Sequence, residues 1–532
     1  MTRLVVLVSL FALAAQPALV RPVFAQGGAG QPATGQTPVP PVLTLDDAIR
    51  LSLERSEQVA AAQADVDRAR AGQRLAQSER FPQVYASASY DRTLASEFKG
   101  LFSGGSSASS CDPFTLRPET PLADRVAEIE RALDCGAVGN AFSGSSFKDL
   151  PFGRENTYRV GLSVAQSLYT GGRISAQRRL AEIEREAAGL AVDSARAQAI
   201  LDVTQAFYDA ALSDRMVEIA EATLFQAEST LARVTLGREA GRQPEFDRLR
   251  AQVDRDNQRP AVIRARSQRT LAYLRLRQIL ELPADQPLTV AANLDDAALP
   301  PPAWFAAKLE AVPPELHPAS IDARTPIRQM AASVQASEQA VRIAASERKP
   351  TVSANSLWSR VGYPSNLWPG ADYRTNWTVG VSVQVPLFTG GRLGASRAAA
   401  QADLARTESR LKLAREYAWL DGQAALEAVE SARAAWEASA GTVQQADRAY
   451  EIAELRYREG ISTQVELSDA RLLLQQAQAN RAVAARDYQV ARARLALLPD
   501  LPLASPASSS TAGASAGGPA TGMTLSGSAS SR

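Results

Sequence analysis

The chain has 532 residues, and its 58 lysines and arginines nearly balance its 57 aspartates and glutamates. This balance excludes the basic surface typical of nucleic-acid-binding proteins, so we expect no nucleic-acid partner. The only histidine, His317, lies in a proline-rich stretch apart from both cysteines, so we expect no metal site and no other cofactor. No nucleophile–histidine pair and no phosphate-binding loop is present, and the sequence therefore predicts no catalytic residues.

Residues 1–25 are a predicted signal peptide. Arg3 precedes an apolar run over residues 4–15, and Val23-Phe24-Ala25 resembles a small-residue cleavage site. The mature chain is expected to begin near Gln26 with a flexible leader to residue 42. Beyond the signal no run of 18 apolar residues occurs, so the sequence predicts no transmembrane helix.

A strand–turn–helix segment occurs twice, at residues 158–176 and 377–395, with a constant offset of 219 residues. Apolar and small polar residues alternate along each strand, which is the period of a sheet with one apolar face. Each strand then reaches Thr-Gly-Gly-Arg and a long helical pattern. The glycine pairs supply the sharp strand-to-helix turns; they are Gly171 with Gly172 and Gly390 with Gly391.

The duplication divides the chain into two structural repeats. Each repeat begins with a helical pattern, which ends near Ser78 in the first repeat and at Glu347 in the second. The first repeat spans 43–282, with strands at 83–91 and 156–168, an inserted loop at 92–155 and a helical hairpin at 173–282. The second spans 326–498, with strands at 351–359 and 376–386 and a hairpin at 391–498. A proline-rich linker at 283–325 and a disordered Ser/Ala/Gly tail at 499–532 complete the prediction.

Glycines interrupt both long helical patterns at equivalent places. Gly241 and Gly460 are 219 residues apart, and the chain is expected to reverse at each to form an antiparallel hairpin. The inserted loop carries Cys111 and Cys135, with a short helix predicted from Leu122. In an exported chain the two cysteines are expected to form a disulfide, the alternative being two free thiols.

The strands place a condition on any membrane-spanning arrangement. One chain supplies four strands, whereas the smallest membrane β-barrels have eight and open edges are not stable in lipid. The strands must therefore close with copies from other chains. Two, three or four protomers all give an even number of strands.

The order of these features resembles the outer membrane efflux protein family of Gram-negative bacteria, the TolC-like channels. The resemblance covers roughly residues 43–498 and rests on the duplication, both Thr-Gly-Gly-Arg junctions, the breaks Arg238-Glu239-Ala240-Gly241 and Arg458-Glu459-Gly460, and the opening from Leu43 to Ile49. It implies a mainly α fold with a small β part. Three chains would form a trimeric α-barrel of long hairpins and a twelve-stranded transmembrane β-barrel. The implied partners are two further copies, outer membrane lipid, a periplasmic adaptor protein, and an inner-membrane pump or ABC transporter.

The same resemblance implies roles for residues at the helix tips. The tips would form the periplasmic entrance, with Glu466 and Asp469 lining the mouth and a hydrogen bond between Asp247 and Tyr457 holding it shut. The turns at Gly241 and Gly460 would contact the adaptor. Local structure offers another explanation for the acids, since Thr463 to Glu466 reads as a capping box and acids in a first turn complement the helix dipole. One member of the family has an arginine two residues after the glycine, where Ser462 stands here.

The implied function is that of a passive exit duct in a tripartite efflux or type I secretion system. Small-molecule efflux and protein secretion use the same duct, so the sequence does not separate them, and only family frequency favours small-molecule efflux. The alternative from another class is a structural coiled-coil protein of the cell envelope without transport activity. That alternative explains the long helices but not the paired amphipathic strands.

Overall fold

A computed structural model describes residues 42–95, 112, 114–134, 155–283, 287–294, 298–310, 317–364, 367–368 and 373–503. The predicted signal peptide, the leader up to residue 41 and both cysteines, with their expected disulfide, lie outside the described residues.

The elements of the first repeat include a short strand, β1, that the sequence did not predict, and a predicted helical pattern that is divided in two. They are β1 (Val42–Leu43), α1 (Leu45–Arg55), α2 (Glu57–Ser78), β2 (Gln83–Arg92), α3 (Leu122–Asp134), β3 (Asn156–Tyr169), α4 (Arg173–Glu239) and α5 (Glu245–Ile279). The helical pattern predicted to run without interruption to Ser78 is two helices. Ser56 leaves the helical conformation, and its hydroxyl accepts a hydrogen bond from Val59 N (3.4 Å), which caps α2.

The proline-rich segment between the repeats contributes to the main core. It contains β4 (Thr289–Val290), α6 (Ala303–Glu310) and α7 (Pro318–Asp322), and β4 pairs in parallel with β1. Phe305 and Leu299 are almost fully buried in the same cluster as residues of α1, α4, α5 and α10 (Gln464–Leu497). His317 is exposed immediately before α7, as expected.

The second repeat consists of α8 (Thr325–Ser346), β5 (Thr351–Gly362), β6 (Tyr373–Gln384), α9 (Arg392–Arg458) and α10. The predicted tail at 499–532 begins too early. Leu501 is buried, and Asp500 accepts a hydrogen bond from the Thr325 hydroxyl (2.7 Å), so these residues are packed at the end of α10. Residues from 504 onward lie outside the description.

The four longer strands form one antiparallel sheet in the order β2-β3-β5-β6. Leu162 lies opposite Ala86 on one side and Trp358 on the other, and Trp358 lies opposite Trp377. Because side chains alternate along a strand, this register gathers apolar residues on one face of the sheet. That face carries Val84, Ala86, Ala88, Tyr90, Val160, Leu162, Val164, Trp358, Trp377, Val379, Val381 and Val383, and the opposite face carries mainly Ser, Thr, Asn and Gln.

The long helices form two antiparallel hairpins, α4–α5 and α9–α10. The ion pair between Arg266 and Glu221 (2.6 Å) links the first pair of helices, and the Trp436 ring stacks on Tyr488 in the second. The main core lies where α1, α4, α5, α6 and α10 meet, with Phe207 and Leu276 among its fully buried side chains. None of the helices in the described ranges combines the length and the apolar character needed to cross a bilayer.

Candidate functional site at the helix tips

Both hairpins turn on a glycine in the left-handed region. Gly241 and Gly460 each have φ +70°, a conformation that L side chains rarely adopt. Each glycine is followed by a reverse hydrogen bond, from Arg242 N to Gly237 O (2.8 Å) and from Ile461 N to Arg456 O (2.8 Å). This is the Schellman ending of a helix, in which glycine accepts the left-handed turn without strain. The predicted reversal at both positions is confirmed.

The first turn of α10 presents two acids to solvent. The Thr463 hydroxyl accepts a hydrogen bond from Glu466 N (3.4 Å), so one half of the predicted capping box forms. The Glu466 carboxylate lies instead 3.8 Å from the Arg456 guanidinium of α9, in a solvent-exposed pair. Asp469 lies three residues further along the same helix face, is exposed, and forms no ion pair among the described residues.

Asp247 and Tyr457 lie close together across the two hairpins. Burial raises the pKa of the Tyr457 hydroxyl, the nearby Asp247 carboxylate adds to the rise, and Gln243 partly opposes it. The hydroxyl therefore stays protonated at neutral pH. Tyr457 Oη is nevertheless buried without a hydrogen-bond partner among the described residues, and the same holds for Gln243 Oε1 and Ser462 Oγ. The Asp247–Tyr457 hydrogen bond implied by the resemblance is not formed in this chain, and its gating role stays a prediction.

Several contacts between the two tips involve residues that the sequence did not single out. Arg471 on α10 is buried and pairs with Asp254 on α5, which also accepts a hydrogen bond from Ser468 (3.4 Å). With its amide oriented to satisfy both groups, Gln464 donates to Asp247 O and accepts from Ala251 N, each at 3.1 Å. The sequence does place Arg471 beside the apolar face of α10, because it is four residues after Leu467 and next to Ala470, which are both buried.

The strand-to-helix turns have the expected conformation. All four glycines have positive φ, and Gly172 and Gly391 serve as the N-caps of α4 and α9. The two turns differ in their surroundings. A Cβ atom on Gly171 would lie 2.7 Å from Lys349 Cβ, whereas Gly390 and Gly391 have open space around them.

Among the described residues no three His, Cys, Asp or Glu side chains lie together in a way that could hold a metal ion. The tip instead offers exposed carboxylates above a partly buried polar contact between two hairpins.

A family model described as outer membrane efflux protein matches residues 139–281 and 319–499, which is more than half of the chain. The two matched segments contain β3, both hairpins and the second repeat. A comparison with curated proteins found no match.

Solved structures of outer membrane proteins have the same fold. The Campylobacter jejuni CmeC outer membrane channel aligns with a TM-score of 0.66 at 14% identity, covering 88% of this chain and 88% of that chain. Vibrio cholerae VceC aligns at 0.63 and 16% identity, covering 86% and 96%. The open state of the Neisseria gonorrhoeae MtrE outer membrane channel aligns at 0.63 and 17% identity, covering 86% and 89%.

Proposed function

The chain belongs to the outer membrane efflux protein family and is an outer membrane channel for efflux, and from this premise we propose that it is the passive exit duct of a tripartite system. Three copies close their sheets into a twelve-stranded β-barrel in outer membrane lipid. Their hairpins form an α-barrel that extends into the periplasm. A periplasmic adaptor contacts the turns at Gly241 and Gly460, and an inner-membrane pump or ABC transporter supplies the energy.

The observation that carries this proposal is the sheet. Its outward row of Trp377, Val379, Val381 and Val383 is largely exposed, and β2 and β6 are edge strands. An apolar face with unpaired edges is poorly suited to water and cannot remain open in lipid. If further copies close the edges into a barrel, the apolar face contacts lipid and no strand edge remains unpaired. Twelve strands then follow from three chains.

Substrates cross such a duct without chemical change. We favour small molecules over secreted proteins on family frequency alone. The sheet's second face is small and polar, as in Ser353 and Ser382, which hydrogen-bond to each other across β5 and β6 (2.8 Å). A lumen lined in this way stays hydrated.

The mouth of the duct selects by charge. In a trimer, Glu466 and Asp469 place a ring of carboxylates around the entrance, which attracts cations and repels anions. Arg456 reduces this field only in part, because its contact with Glu466 is exposed and worth less than about 1 kcal/mol. Asp247 and Tyr457 lie behind the ring, and opening requires the two tips to separate there.

The test is single-channel recording of the purified protein in planar bilayers. We expect a small, cation-selective conductance, and the Glu466→Ala/Asp469→Ala double variant should lose most of the preference for cations. The matched control is Asp65→Ala/Asp67→Ala, which removes the same charge from exposed positions on α2. Unchanged selectivity in the tip variant would refute the carboxylate ring, and a protein without conductance would refute the duct.

A further inference from the structure

The polar face of the sheet carries two arginines in a single row across the strands. Arg159 of β3 lies opposite Ser89 on one side and Val361 on the other. Val361 in turn lies opposite Arg374 of β6. Both arginines are exposed. Because paired residues point to the same face and neighbours along a strand alternate, both guanidinium groups project from the face opposite to the exposed valines of β6.

The rest of the polar face is almost free of charge. Among the described residues of the four strands, Asp91 is the only other charged group on this face, and it lies opposite Thr157, two residues beyond Ser89. From the row of arginines to the helices, the face carries small or neutral side chains such as Ser87, Ser163 and Ser382. The two arginines outweigh one aspartate, so the charge at this end of the face is positive.

Two further arginines at the same end of the sheet lie on the apolar face. Arg92 lies opposite Asn156, and Arg360 lies opposite Val160. The guanidinium carbon of Arg360 is 5.6 Å from the centroid of the Tyr373 ring. Arginine and tyrosine side chains commonly lie in this way at a membrane surface. That explanation does not apply to the arginines of the polar face, because in the proposed barrel the polar face contacts no lipid.

We propose that Arg159 and Arg374 of the three copies form an anion-binding ring inside the outer end of the barrel. The ring takes solutes that carry carboxylate, sulfonate or phosphate groups, since a guanidinium group binds such oxyanions through paired N–H donors. This inference rests on the proposed trimeric duct. It goes further by assigning a binding site and a class of solute to the exit.

The strand order spaces the arginines evenly around the lumen. Arg159 and Arg374 stand on β3 and β6, which are separated by β5 alone, so their Cα atoms are about 10 Å apart. When the order β2-β3-β5-β6 repeats three times, every second strand carries one arginine and six guanidinium groups surround the lumen. An anion with several charges can therefore contact more than one of them at once.

The ring acts independently of the acids at the helix tips. Helix α9 has 67 residues and extends from the sheet towards the tip, a distance of about 100 Å. The Debye length at physiological salt is about 8 Å, so Glu466 and Asp469 have no electrostatic effect on an anion near Arg374. The proposed duct thus has an acidic entrance and a basic exit.

Block of the channel by a polyvalent anion tests the ring. The full-length protein is incorporated into planar bilayers in about 0.1 M salt, and inorganic tripolyphosphate is added to one side at a time. We expect voltage-dependent block from one side only, because the carboxylates repel the anion at the other mouth. In Arg159→Gln/Arg374→Gln, the concentration for half block should rise at least about tenfold, since a hydrogen bond to a charged group contributes roughly that factor in affinity or more.

Two further variants serve as controls. Arg92→Gln/Arg360→Gln removes the same charge from the lipid-facing side of the same sheet end and should leave the block unchanged. Arg159→Lys/Arg374→Lys keeps the positive charge and loses the paired donors, so it should be blocked at a lower concentration than the corresponding glutamine variant.

The outcomes separate the ring from the duct. A conducting channel that tripolyphosphate does not block would overturn the ring and leave the proposed duct standing. Equal shifts in the two glutamine variants would have the same meaning, because the loss would then not depend on the face that carries the charge. A protein without conductance would overturn the duct and the ring together.

Discussion

Helices α4 and α9 have the same length of 67 residues and begin and end at equivalent positions, yet the chain buries them very differently. Twenty-four residues of α4 are buried, whereas six residues of α9 are. Leu201 of α4 is 7% exposed, and Leu420, the same residue type at the equivalent position of α9, is 58% exposed. The difference in burial between these two helices therefore follows from the neighbours that each has within the chain.

The equivalent aspartates of α9 and α4, Asp421 and Asp202, also have different surroundings. The Asp421 side chain of α9 is 9% exposed and lies between Arg324 (2.7 Å) and Arg494 (3.1 Å). The buried Arg324 also donates a hydrogen bond to Ala418 O (2.8 Å). Its equivalent on α4 is Asp202, which accepts a hydrogen bond from Gln198 (2.8 Å). The position that corresponds to Arg324 is Ser56, the cap of α2. One acid thus has a buried cationic partner that the other lacks.

The largest loss of stability is expected when the ion pair between Arg324 and Asp421 is broken. Asp421→Asn leaves the buried Arg324 guanidinium without a full counter-charge, and we expect a loss of stability of about 3–5 kcal/mol. Thermal unfolding followed by circular dichroism would measure it. The control is Arg324→Met/Asp421→Leu, which removes both charges and should recover most of the loss. If the single and double variants unfold alike, the charge pair is not the source of the effect.

The next largest difference in stability is expected between variants of Leu201 and Leu420, the equivalent leucines of the two repeats. Leu201→Ala removes a side chain buried in the main core, and we expect a loss of about 2–5 kcal/mol. Leu420→Ala should leave the single chain nearly unaffected but weaken the proposed trimer, in which we expect a neighbouring copy to cover the exposed side of α9. Thermal unfolding and oligomer mass are measured for both. An unchanged trimer in Leu420→Ala would argue against that coverage.

The sequence predicted the repeat structure well because its signals are local. Alternating strands, long uninterrupted helical patterns and the glycines at 241 and 460 each determine structure within a few residues. It missed the break at Ser56, since a serine within a helical pattern reads equally as a surface residue or a cap. It also treated 283–325 as a linker, although Leu299 and Phe305 belong to the core. Proline density marks turns but does not reveal which apolar residues between them are buried.

At the helix tips, too, the sequence predicted only the features that depend on local signals. Thr463 and the turn glycines act within one helical turn, and both were found from spacing. The pair between Asp254 and Arg471 joins residues 217 positions apart, and no local pattern pairs them. The Asp247–Tyr457 contact came from family resemblance. The structure brings these two side chains near each other without the hydrogen bond.

The smallest change in stability is expected at Asp202. This residue also gives the most direct test of the difference between Asp202 and Asp421. Burial raises the pKa of its carboxyl, against the opposing influences of Gln198 and Arg275. A raised folded-state pKa means that the folded chain binds this proton more tightly than the unfolded chain. The resulting penalty is absent below the unfolded pKa of about 3.9 and complete above the folded-state pKa.

Asp202→Asn keeps an oxygen that accepts from Gln198 and removes the charge. It should therefore unfold at a slightly higher temperature than the unmodified protein near neutral pH, and the difference should disappear as the pH falls towards about 4. Asp421→Asn should show the opposite sign at neutral pH, because its carboxylate is paired. Melting curves of both variants between neutral pH and about pH 4 measure the sign of each change in unfolding temperature. A destabilised Asp202→Asn at neutral pH would mean that Arg275 compensates Asp202 as fully as Arg324 compensates Asp421, and the two repeats would then be electrostatically alike.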